Sequence, residues 1–80
     1  MYWVYVLRSE RLRRYYVGIS NNPDKRLLEH NAGKTKSTKG FIPWRIVYKE
    51  IVPDRQTARE REKYLKSGCG KEYIKKVLDP

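Results

Sequence analysis

Five side chains in this sequence, Tyr5, Tyr16, Arg26, His30 and Glu62, are of the types that phosphodiester hydrolysis needs. A hard divalent cation prefers carboxylate oxygen and keeps most of its waters, so one glutamate can suffice to hold it. A guanidinium can hold the scissile phosphate and stabilise the charge that develops on it. A histidine, or a tyrosine of lowered pKa, can take a proton from water. Each residue also has a plainer reading. Tyrosines at strand positions are usually packing. An arginine is most often a surface or ion-pair group, and a lone histidine on a helix is more often a cap or a surface group. Glu62 decides most. A helix through it has a core-facing stripe of Ala58, Arg61, Glu62 and Leu65, spaced i, i+3, i+4 and i+7. A carboxylate on that stripe costs desolvation energy unless a cation compensates it. Glu62 is therefore either an ion-pair partner, with Arg26 and Lys66 as candidates, or a metal ligand facing a cleft.

Other chemistries find little support. The chain has no GxxxxGK[ST], no GxGxxG and no CxxC pair. One histidine and one cysteine cannot build a zinc site of the usual kind. Cys69 lies between two glycines, with Lys66 and Lys71 nearby and no catalytic partner in view, and reads as a spectator thiol.

The charge balance points to a polyanion. Nineteen Lys+Arg against nine Asp+Glu give a net charge of +10 on 80 residues. Such a field attracts nucleic acid, ahead of an anionic membrane surface or a merely well-solvated exterior. Seven tyrosines and two tryptophans can stack on bases, although most aromatics of a small domain belong to its core. The length predicts one domain over residues 1–80, burying only about 60% of its unfolded surface. A single cysteine leaves no internal disulfide and predicts a reduced, cytoplasmic setting. No stretch has the length of a membrane span, and Met1-Tyr2-Trp3-Val4 has no basic lead-in, so neither a signal peptide nor a membrane partner is expected.

The elements that must position these residues follow from local signals. Residues 2–8, aromatic and β-branched, predict a central strand apolar on both faces. Residues 9–13 are a polar hairpin connection, and residues 14–20 the second strand, in which Gly18 marks a bulge or a close backbone approach. Asn22 followed by Pro23 starts a helix, which Asp24 suits electrostatically. It runs to about Asn31 and stops at Gly33, with Leu27 and Leu28 toward the sheet and Arg26 and His30 on one face. Residues 33–40 are a lysine-bearing loop suited to a phosphate backbone or simply to solvent. In residues 44–52, a third strand, Trp44, Ile46 and Tyr48 alternate with Arg45, Val47 and Lys49. Pro53 ends it, Asp54 caps the helix of Glu62, and that helix ends near Gly68. A turn through Ser67-Gly68-Cys69-Gly70 leads to a short helix with Tyr73, Ile74, Val77 and Leu78 on one face. The order β-β-α-β-α-α predicts an α+β fold, a three-stranded antiparallel sheet flanked by helices.

Taken together these segments resemble the GIY-YIG nuclease domain. Its two name-giving tripeptides correspond to Trp3-Val4-Tyr5 and Tyr16-Val17-Gly18, each keeping its tyrosine. Arg26-Leu27-Leu28-Glu29-His30-Asn31-Ala32-Gly33 is similar to the R-L-x-x-H-N-x-G run of small members, and Ala58 through Lys66 to the segment carrying a metal-binding glutamate. The resemblance implies one Mg²⁺ or Mn²⁺ on Glu62, Arg26 on the phosphate, and Tyr5, Tyr16 and His30 positioning or activating water. It implies contacts to DNA through Gly18 and Arg26, with the loop lysines Lys34, Lys36 and Lys39 added. The two tyrosines must then share a sheet face, which pairing Tyr5 across from Tyr16 over a Ser9–Leu12 loop would achieve. Trp3 departs from the family's glycine, and no asparagine follows Asn31 where some members use one near the phosphate.

The implied activity is a metal-dependent endonuclease acting on branched, nicked or single-stranded DNA, in repair or recombination. Its target would be chosen by DNA structure, by a homodimer or by a partner protein. The alternatives are a catalytically silent nucleic-acid-binding module of the same fold, and a small basic structural protein of a ribonucleoprotein.

Overall fold

The computed structural model describes residues 1–79. Its elements are β1 (Tyr2–Ser9), β2 (Tyr15–Ser20), α1 (Pro23–Asn31), β3 (Trp44–Val52), α2 (Arg55–Lys66) and α3 (Gly68–Tyr73). A wide π-type turn, Ile74–Leu78, continues α3. The three strands form one antiparallel sheet in the order β2-β1-β3. The α+β architecture and the element order are those the sequence predicts.

β1 lies in the middle and buries both faces. Val4 and Val6 join Val17, Val52, Ala58, Leu65 and Ile74 beneath α2 and α3. Tyr5 and Leu7 join Trp44 on the other face, under α1 and the loop that follows it. Alternation along one strand thus supplies two small cores.

The helix boundaries follow their caps. The Asn22 side chain accepts from the Lys25 amide, with Pro23 in the first helical position. Gly33, at φ 77°, ends α1 in the left-handed conformation that glycine adopts without strain. The Asp54 side chain accepts from the Thr57 amide at 2.8 Å and starts α2.

Six local expectations are corrected. Tyr5 pairs with Gly18, and Tyr16 with Leu7. The hairpin loop is longer than a Ser9–Leu12 loop because buried Ser9 organises it: its Oγ accepts from the amides of Arg11 and Leu12, and its own amide donates to the Arg14 carbonyl. In β3 the alternation breaks. Val6 pairs with Tyr48 and Leu7 with Ile46, so a bulge at Val47 turns Tyr48 to the opposite face from Trp44 and Ile46. Leu28 is 71% exposed, and only Leu27 of that pair reaches the core. Gly68, Cys69 and Gly70 are helical, not a turn. The Ser67 side chain caps them by accepting from the Gly70 amide, and a Cβ on Gly70 would lie 2.0 Å from the Tyr64 carbonyl oxygen. Beyond them the widened turn keeps Leu78 on the core and leaves Val77 exposed.

Candidate active site

The β1/β2 register sets Tyr5 and Tyr16 on one face of the sheet, diagonal to each other. Their ring centroids are 6.3 Å apart. Gly18 makes this arrangement possible. A Cβ there would stand 2.6 Å from both Cζ and the hydroxyl of Tyr5 and 2.9 Å from Cε2 of Tyr16. The glycine is therefore a close approach of ring to backbone, in a strand pair of regular register.

α1 brings His30 to the same place, its ring 4.8 Å from Tyr16 and 6.3 Å from Tyr5. Both Tyr5, at 1%, and His30, at 0%, are closed to solvent, whereas Tyr16 is half-buried. The hydrogen bonds assign the imidazole tautomer. The Thr38 hydroxyl donates to the Thr35 carbonyl and so receives a hydrogen bond from Nδ1–H of His30, at 2.8 Å. Nε2 then carries the lone pair and accepts the Tyr5 hydroxyl at 3.3 Å. Burial, reinforced by the Arg26 guanidinium, holds His30 below its ordinary pKa and hence neutral. Burial also holds the Tyr5 phenol above its usual value, opposed by Arg26 and reinforced by the charges of Tyr16 and Glu62.

Arg26 projects from α1 half-exposed and forms an ion pair with Glu29 one turn along. Glu62 comes from the opposite layer. α2 packs on β1 and the edge strand β2, and the Glu62 charge reaches the Tyr5 hydroxyl from there. The Glu62 side chain is 18% exposed and pairs with Lys66 of its own helix at 3.2 Å. Its stripe neighbour Arg61 is engaged elsewhere, by Glu50 of β3 at 2.8 Å and by the rings of Tyr64 and Tyr73. Of the cations considered for Glu62, the partner is Lys66, which is itself half-exposed, and not Arg26. A carboxylate so placed, within electrostatic reach of Tyr5 and with the half-exposed Lys66 ammonium beside it, suits a hard cation that keeps its waters.

Lys34, Lys36 and Lys39 are exposed on the loop after α1, and that loop also supplies Thr38 to His30. Trp3 sits beneath the Lys49 ammonium, 5.3 Å from its ring centroid. Three residues organise this site in roles that the sequence analysis does not assign. Thr38 fixes the His30 tautomer. Trp44 Nε1 donates to the Thr38 carbonyl at 2.9 Å and anchors the loop. The Asn31 side chain accepts from the Trp44 amide and donates to its carbonyl, clasping the end of α1 to β3. Asn31 was visible in the H-N-x-G run; a threonine within a polar loop gives no such signal.

The chain is thus a β-β-α-β-α-α domain with Tyr5, Tyr16 and His30 gathered on one face of its three-stranded sheet. The GIY-YIG catalytic domain family matches residues 1–75, and the chain belongs to that family of nuclease domains. A UPF0213 protein of Clostridium perfringens is 37% identical over 67 residues, covering 82% of this chain and 71% of that protein. A structure-specific endonuclease subunit SLX1 homolog of Giardia intestinalis is 43% identical over 42 residues, 49% of this chain and 12% of that protein. The solution NMR structure of a UPF0213 protein from Bacillus halodurans matches all of this chain and 89% of its own, with a TM-score of 0.58 and 29% identity. Among the described residues no helix is long and apolar enough to cross a membrane.

Proposed function

We propose that this chain is a divalent-metal-dependent endonuclease that hydrolyses phosphodiester bonds in DNA and selects its target by DNA structure, in repair or recombination. The observation that carries this reading is the meeting of Tyr5, Tyr16 and neutral His30 on one sheet face, within electrostatic reach of Arg26 and Glu62. The Giardia relative named as a structure-specific endonuclease subunit supports the choice of substrate class and the idea of a partner protein.

In this mechanism the buried pair is fixed and does not exchange its proton. A raised Tyr5 pKa and a lowered His30 pKa both oppose transfer, so the proton stays on the Tyr5 oxygen and is aimed at Nε2. His30 and Thr38 are positioning residues that hold the Tyr5 ring behind Tyr16. Tyr16 is the phenol with access to solvent, and its hydroxyl orients the attacking water. The Arg26 guanidinium, lent by Glu29, holds the scissile phosphate and meets the charge that grows on it. Glu62 would hold the Mg²⁺ or Mn²⁺, which supplies Lewis-acid stabilisation of phosphoryl charge when bound. Lys34, Lys36, Lys39 and the backbone at Gly18 line the approach of the DNA.

Purified protein incubated with branched, nicked, single-stranded and duplex DNA, with Mg²⁺, Mn²⁺ or EDTA, tests the reading. Products that appear only with metal are expected. Binding with no cleavage of any substrate would leave a nucleic-acid-binding module instead.

A further inference from the structure

A second cationic surface lies away from the tyrosines. Arg8, Arg13, Arg45 and Lys75, with Tyr15, line a cleft of about 460 Å³ between the hairpin loop and the C-terminal helix. It continues into a smaller cleft of about 210 Å³ that shares Arg13, Tyr15 and Lys75 and adds Arg14 and Lys71. One acid sits inside this groove. The Asp79 carboxylate, 18% exposed, receives Nε of Arg8 at 3.0 Å and the Tyr15 hydroxyl at 2.8 Å, with Nη2 of Arg45 at 3.9 Å. Two guanidinia and a phenol converging on one carboxylate are the donors that would receive the two free oxygens of a phosphodiester. Glu10 meets Arg45 from the outer side at 3.4 Å. Arg13 and Lys75 are exposed, and among the described residues neither is in an ion pair.

Strand geometry separates this groove from the candidate active site. Arg8 is three residues beyond Tyr5 on β1, so its side chain leaves the opposite face, roughly 10 Å further along the strand. Tyr15 likewise packs on the core beneath α3, while Tyr16 packs with Tyr5. A phosphate chain filling the groove is therefore not the segment lying on Tyr16.

We propose that this groove holds the phosphate backbone of a second arm of a branched nucleic acid, with Asp79 standing in for a phosphate until the arm arrives. This rests on the nuclease reading for its substrate, and gives one chain a way to prefer junctions over linear duplex. The test is equilibrium binding in EDTA, where no cleavage is needed, to a four-way junction and to a linear duplex of equal length, across salt concentration. The variant Arg13→Ala/Lys75→Ala removes two exposed cations and leaves the Asp79 cluster intact. Its junction preference should fall, and its salt slope on the junction alone should flatten by about 1.8, two phosphates at about 0.9 each. Asp79→Asn should bind the junction more tightly than wild type. Lys34→Ala/Lys36→Ala/Lys39→Ala, on the other face, should weaken both substrates alike. An unchanged junction preference in Arg13→Ala/Lys75→Ala, or equal flattening on both substrates, overturns the proposal. Because the readout is binding, a protein that cleaves nothing still decides it.

Discussion

The Tyr5 hydroxyl stands 3.3 Å from Nε2 of His30, and neither residue reaches solvent. The imidazole is oriented by Thr38, whose hydroxyl oxygen accepts a hydrogen bond from Nδ1–H of His30. Thr38→Val keeps the shape and removes that acceptor, leaving a buried N–H without a partner. Such a group costs on the order of 1–3 kcal/mol. A lower melting midpoint and slower single-turnover cleavage are expected, with Thr38→Ser restoring both. Full activity in Thr38→Val would show that the tautomer does not matter.

The same burial makes stability depend on pH. His30 is neutral when folded because burial depresses its pKa, whereas the unfolded chain titrates near about 6.5. Below that value the unfolded state binds the extra proton, so stability is present above it and is lost as pH falls toward the folded pKa. Thermal melts from pH 7.5 downward should lose midpoint in that window. His30→Gln should flatten this part of the curve, and an identical slope in the variant would assign the effect to other groups.

Gly18 is set by the Tyr5 ring. In Gly18→Ala the new methyl would stand 2.6 Å from the ring and hydroxyl of Tyr5, well inside contact distance. Overpacking of this kind typically costs about 1–3 kcal/mol and forces side chains off their rotamers. Cleavage should suffer beyond the loss of stability, because both tyrosines move. In a Tyr5→Ala background, itself destabilised by the cavity it opens, Gly18→Ala should cost less than it does alone, and a single variant that melts and cleaves like wild type would contradict the packing.

The sequence made legible whatever was local. Asn22-Pro23, Asp54 and Gly33 announced helix ends because capping depends on residues three or four apart. The glutamate on the α2 stripe stood out because helical phase is local too. Register was not local. It depended on Ser9 folding its side chain into the hairpin loop, which moved Tyr5 opposite Gly18. The bulge at Val47 was equally hidden, since the apolar pattern Trp44, Ile46, Tyr48 is that of an unbroken strand. Long-range pairing decided the charges on the stripe: Arg61 found Glu50 across the fold, which left Glu62 beside the edge of the sheet with Lys66.

Arg26 is expected to matter more to turnover than to affinity. Its partner Glu29 is on the same helix and its guanidinium is half-exposed, so Arg26→Ala breaks an ion pair of little stabilising value. Removing one group that meets transition-state charge typically costs about 2.7–4 kcal/mol, or roughly 10²–10³ in rate. Single-turnover cleavage should fall by that factor while the dissociation constant for DNA changes little. Comparable losses in both would make Arg26 an ordinary phosphate contact.

Glu62→Gln separates a metal ligand from a structural acid. The substitution keeps size and removes the charge that holds a hard cation. In the structure Glu62 pairs with Lys66, four residues on and half-exposed, and such helix pairs are worth only about 0.3–0.5 kcal/mol. The metal-free melt of the variant should therefore match wild type closely. A ligand that binds only the folded state raises its midpoint, so added Mg²⁺ or Mn²⁺ should raise the wild-type melt and leave the variant unmoved. Cleavage should collapse while DNA binding persists or tightens, since a negative charge near the phosphate has gone. A buried structural pair would behave otherwise: removing one partner strands the other and costs roughly 3–5 kcal/mol. A large fall in the metal-free midpoint, with the metal response of wild type absent, would make Glu62 a structural residue and leave the binding module as the better reading of the fold.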